Sequence, residues 1–167
     1  MKQMTYDRDG LVAHIRNSFR LDWESTHGWG HWARVEHHAK TVAAIRGGDV
    51  PVAELFALLH DSCREDEFED EFHGEWGAEF TRSLNGLYFD LELSRLDLLC
   101  FAIRDHSKGY VSGDATIQSC WDGDRLDLGR IGRSPLPKYL SAEAALMIEQ
   151  AYEWSVSGWI SMKKWKM

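Results

Sequence analysis

The chain has 167 residues, 44% of them hydrophobic and 28% charged, which is room for one domain with a substantial core and too apolar for a disordered chain. Its formal net charge of −8 argues against long nucleic acids and anionic membranes as partners, because both demand clustered Lys and Arg; a small phosphorylated ligand stays open, since a bound divalent cation adds charge that the count omits. Three cysteines without a CxxC pair, no N-terminal apolar stretch of signal-peptide length and no run of roughly 18 apolar residues point to a soluble, cytoplasmic protein.

Helical punctuation then dominates. Leu11, Ile15 and Phe19, spaced by four, predict a short amphipathic helix over about 7–18. After the turn RLDWESTHGWG, a second helix runs from about His31 to Ile45 and stops at Gly47-Gly48. Asp49 caps a third, with Pro51 in its first turn, and the apolar run VAELFALLHD puts that helix deep in the core. SCREDEFEDEFHG reads as an acidic loop, followed by a helix over about 74–84 and a turn at Asn85-Gly86. Ser94 opens a helix carrying Leu96, Leu99 and Ile103 on one face, and another begins near Ser112–Asp114. GRIGRSPLPKYL reads as a loop, and Ser141 caps a final helix reaching about Ile160. There is no alternating strand pattern, repeat or linker, so the expectation is a single all-α domain over 1–167.

The ionisable residues fall at telling places on these helices. Asp124 shares a face with Ile117, Cys120, Trp121 and Leu128. A buried carboxylate needs a partner, either a cation such as Arg125 or Arg104 or a metal ion. His60-Asp61 closes the most apolar helix, where a lone His would be an ordinary core residue; the adjacent Asp adds a second polar group to be satisfied. His31 heads the stripe His31, Val35, His38, Val42, Ile45, and antiparallel packing of neighbouring helices brings it beside His60-Asp61. Two imidazoles and two carboxylates from three helices suit a divalent ion such as Mn, Fe, Co, Ni or Zn, with positions left for water and substrate.

The segments HGWGHWARV, LLHDS, HGEWGAEF, AIRDHS and WDGDRLDLGRIG, over roughly residues 27–132, closely resemble the HD-domain metal-dependent phosphohydrolase superfamily. The resemblance implies a compact helical bundle with His31, His60, Asp61 and Asp124 as metal ligands, Asp124 being preferred over Asp122 because Arg-Leu follows it. Gly123 stands where relatives often have Ala. The implied reaction is attack of a metal-activated water on a small phosphorylated molecule such as a nucleotide.

Other roles are expectations at particular positions. Glu65 and Asp66 are candidate proton carriers, although some relatives place a Glu four after the His, where this chain has Arg64. His73 and His106 are expected at the pocket and could hold a second ion, with one ion the more economical assumption. Arg34, Arg64 and Lys108 are the cations expected to meet substrate phosphate, and Arg125 could equally brace Asp124. His14, His27, His37 and His38 are read as surface or packing residues, and Trp32 and Trp121 as core. Covalent catalysis has no support, since Ser62 lacks a triad and no GxSxG or Gly-rich phosphate loop is present. Two other functions fit the same residues: a dinuclear oxidative enzyme, or a non-catalytic metal- or nucleotide-binding module.

Overall fold

A computed structural model describes residues 5–158. Eight α-helices occur among them, α1 (Arg8–Ser18), α2 (Trp29–Arg46), α3 (Val50–Leu59), α4 (His73–Leu84), α5 (Leu93–Asp105), α6 (Ala115–Leu126), α7 (Ala142–Ala145) and α8 (Ile148–Ser157). Short 3₁₀ turns at Leu128–Ile131 and Pro137–Tyr139 break up the segment expected as a loop. No strand forms among the described residues; the pairings Tyr6–Phe89 and Asn85–Phe89 are isolated bridges. The fold class is therefore all-α, as expected.

Local chemistry sets the helix ends. Asp7 accepts from the Gly10 N–H at the start of α1, and Asp49 accepts from Val52 N–H at the start of α3. The Asp49 carboxylate is also held by Arg95 at 2.6 and 2.8 Å, which ties the α3 cap to α5. Gly47 closes α2 in the left-handed region, φ 72°.

Helix α3 is the axis of the domain. All of Val52, Ala53 and Leu55–Leu59 are buried, and α2, α4, α5 and α6 pack around them. Phe19, Trp23 and Trp32 pack edge-on over one flank of this core. Trp32 and Trp121 are buried, each donating its indole N–H to a carbonyl, His27 O and Ala102 O respectively. A smaller cluster, Val42, Leu126, Leu140, Ala144 and Ala151, seats α7 and α8 against the bundle.

Helices α2 and α6 approach each other closely. A Cβ at Gly123 would lie 2.7 Å from Ala39 Cβ and 2.9 Å from Ala39 N, so only glycine lets the two helices meet here. Gly123 directly precedes Asp124 on α6, and Ala39 lies about two turns after His31 on α2.

The final helix departs from expectation. It is interrupted at Leu146–Met147, where Met147 N–H bonds Ala144 O three residues back instead of four. The tighter turn keeps Ala144 and Ala151 on the bundle and leaves Leu146 exposed. Residues 159 and 160, including Trp159, lie outside the described residues.

Candidate metal centre

Five helix ends converge on one point. His31 lies in the first turn of α2, His60 caps the C-terminus of α3 with Asp61 beside it, His73 opens α4, His106 caps the C-terminus of α5, and Asp124 lies near the end of α6. Asp124 is partly exposed, facing the cavity above, and the other five are buried.

The donor atoms form two triads. In one, His31 Nε2 lies 3.1 Å from His60 Nε2 and 3.2 Å from Asp124 Oδ1. In the other, His73 Nε2 lies 3.0 Å from His106 Nε2, with Asp61 Oδ1 at 3.4 and 3.3 Å from them. Asp61 belongs to both, because its other oxygen, Oδ2, is 3.5 Å from His31 Nε2 and from His60 Nε2.

Each imidazole is oriented from behind. His60 Nδ1 faces the carbonyls of Phe56 and Ala57, His73 Nδ1 that of Asp70, and His106 Nδ1 that of Ile103. A carbonyl oxygen only accepts, so these Nδ1 atoms carry the hydrogen and the Nε2 lone pairs point inward. His31 is held by the Asp127 carboxylate at 2.7 Å, and Arg34 in turn grips Asp127 with two bonds, at 2.6 and 3.1 Å.

Lone pairs facing each other at 3.0 Å repel unless a cation lies between them. Two nitrogens bound in perpendicular positions at about 2.1 Å from one ion would stand about 3.0 Å apart. The separations seen here match that, and a set of four imidazoles and two carboxylates suits a borderline divalent ion. The residues present therefore fit a metal.

Protonation follows the same logic. Burial pushes His31 down and Arg130 adds to that, yet its hydrogen bonds to Asp124, Asp127 and Asp61 outweigh both and raise it to about 9. Burial, helped by the nearby His31 and His106 and opposed by Asp61 and Asp124, carries His60 down to about 3. Burial works against the Asp61 and Asp124 carboxylates, but the surrounding imidazoles hold both well below the usual range. His106 is raised, against its burial, by the Asp61 carboxylate. His73 is lowered by burial and by the charge of His106. The site thus keeps its carboxylates ionised.

The remaining expected residues divide. Arg64 lines the cavity of about 230 Å³ above the triads, together with His27, Phe68, Asp70 and Arg130. Arg34 does not line it, being turned onto Asp127. Lys108 pairs with Asp105 at 3.2 Å and Glu75 at 3.6 Å on the surface. Glu65 is exposed and pairs with Arg20 at 2.8 Å. Asp66 is spent on the loop, accepting from the N–H groups of Phe68 and Glu69. Arg125 braces backbone rather than Asp124, donating to Tyr139 O and Tyr110 O.

Sequence reasoning missed Asp127, Arg130 and the place of His27 at the cavity. Asp127 follows Asp124 by three residues and Arg34 follows His31 by three, so each pair shares a helical face, a signal that was available. His27 is half of a pair with Glu67, Nδ1 to Oε2 at 2.5 Å, and stands at the cavity instead of on the outer surface. Arg130 reaches the cavity from a 3₁₀ turn that carries no periodic pattern.

No family model and no curated protein matches this chain. Among solved structures it is similar to a predicted HD superfamily hydrolase from an uncultured Thermotogales bacterium, with a TM-score of 0.69 and 26% identity over 91% of this chain and 88% of the other. The chain has the HD-domain fold.

Proposed function

We propose that the protein is a metal-dependent phosphohydrolase that binds two divalent ions. The observation that carries the proposal is the pair of donor triads sharing the Asp61 carboxylate, His31–His60–Asp124 and Asp61–His73–His106. The earlier economy of one ion gives way in this reading to two.

Ions held there would supply an activated water and offset charge on a phosphoryl group. The chain's own residues do the rest. Asp127 holds His31 in its ligating orientation, and Arg34 keeps Asp127 ionised and in place. Arg64 and Arg130 stand at the cavity as cations for phosphoryl oxygens. His27 lines the same cavity with its Nδ1 taken by Glu67 and its affinity for a proton lowered mainly by burial, which makes it the candidate to hold or move a proton. It takes the role first expected of Glu65 and Asp66, whose side chains are engaged elsewhere.

The test is phosphate release from a panel of mono-, di- and triphosphate compounds by protein loaded in turn with Mn, Fe, Co, Ni and Zn. Release that disappears in Asp124→Asn supports the reading; no release with any metal sinks it. The six-donor set would also serve iron-dependent oxidation, and oxygen uptake by iron-loaded protein without phosphate release would favour that chemistry instead.

A further inference from the structure

Beside the cavity over the triads lies a second, larger one of about 820 Å³, and the two share His27, Arg64, Phe68 and Arg130. The larger one continues along the 3₁₀ turn to Arg133. Three guanidinium groups, Arg64, Arg130 and Arg133, therefore follow one path outward from the donor atoms.

None of the three makes an ion pair with a carboxylate among the described residues. Arg130 donates only to backbone, Thr26 O and Asp127 O. Arg64 is buried, with its Nε lacking any acceptor and its Nη1 3.5 Å from His73 Nδ1. Elsewhere this acid-rich chain spends arginines on carboxylates, Arg8 on Glu36, Arg46 on Glu143 and Arg95 on Asp49. Acidic groups are at hand in the larger cavity too, since Glu67 and Glu69 line it, yet Glu67 turns to His27. A buried guanidinium with an unmet donor is costly, and leaving it so beside a cavity makes sense where an anionic ligand completes it.

We infer that the substrate carries two anionic groups, one taken at the triads and a second, a phosphoryl or carboxylate group, held by Arg64, Arg130 and Arg133. This rests on the phosphohydrolase proposal for the first group. Phe68, 91% exposed and lining both cavities, offers a ring face beside the path for an apolar part of the same molecule.

Three non-hydrolysable probes test it by equilibrium dialysis, which counts bound probe and retained metal together: methylphosphonate with one anionic group, and phosphonoacetate and methylenediphosphonate with two. Metal-loaded protein is expected to bind the two-anion probes about tenfold more tightly than methylphosphonate, as charge-assisted bonds to a second group would give. The stronger of the two names the second group. The advantage should shrink in Arg133→Gln, an exposed position whose side chain makes no hydrogen bond or ion pair among the described residues, and vanish in Arg130→Gln/Arg133→Gln. Equal binding of all three probes overturns the second subsite and leaves the metal reading standing. An advantage that survives in the double variant also overturns it. Failure of every probe to bind metal-loaded protein removes both.

Discussion

Asp127 touches no cavity, yet it is the residue on which His31 depends. Its carboxylate bonds both His31 Nδ1 and Arg34, so Asp127→Asn should leave the helix intact while loosening the His31 imidazole. Partners of this kind typically contribute 10- to 100-fold to metal affinity, and a loss of about that size is expected in a competition titration with a chromophoric chelator. His38 presents a different case. Both of its ring nitrogens are buried without a hydrogen-bond partner among the described residues, its ring stacks on Trp154, and burial carries its pKa down to about 4. The unfolded chain, with an ordinary histidine near 6.5, binds the extra proton more readily. Stability from keeping His38 neutral is therefore complete above about pH 6.5 and lost as pH falls toward 4, by about 3 kcal/mol in all. His38→Phe should flatten that part of a stability-versus-pH curve measured by urea unfolding; an unchanged curve would exclude this role. That His31, His60, Asp61 and Asp124 gather at one place was legible because polar groups on apolar helix faces must be answered by something. His27 and Arg130 were not, since only tertiary placement brings them to the cavity. Glu65 and Asp66 misled because acids in a loop are as ready to bond their own backbone or a nearby arginine as to reach a site.

Among the elements, the α2–α6 contact leaves no room for a side chain at Gly123. Gly123→Ala would drive a methyl group into Ala39 of α2, and overpacking of that kind costs about 1–3 kcal/mol. The expected result is a lowered thermal midpoint together with weaker metal binding, because Gly123 directly precedes Asp124 on α6; a variant with normal stability would show that the helices can part without cost. The starts of the helices were readable from Asp49 and Ser141, which cap as expected. The break at Leu146–Met147 was not, because Ala144 and Ala151 are seven apart and satisfy a continuous helix equally well. Its cause lies in the surface beneath, the Val42–Leu126 patch that both short helices must cover.

Across the whole molecule, five helix ends meet at six donors, joined beyond them by the core and by ion pairs such as Arg95–Asp49 and Lys40–Glu54. An ion bound only by the folded chain stabilises it by mass action, about 2.7 kcal/mol at a hundredfold excess over its dissociation constant. Removing metal with a chelator should therefore lower the thermal midpoint, and restoring it should raise the midpoint with rising metal concentration. A midpoint indifferent to both would mean that the donors are satisfied by protons alone. The all-α class was legible at this scale from the absence of any two-residue alternation, while the meeting of the helix ends was legible only between α2 and α3, which are sequence neighbours. The shared carboxylate at Asp61 has a stoichiometric consequence. Asp61 and Asp124 carry the same charge, and replacing either by its amide removes the same single unit. With two ions bound, Asp124→Asn strips a donor from one triad and should leave about one equivalent of metal, whereas Asp61→Asn undercuts both and should leave almost none. Two isoelectric lesions would then be told apart by counting metal atoms.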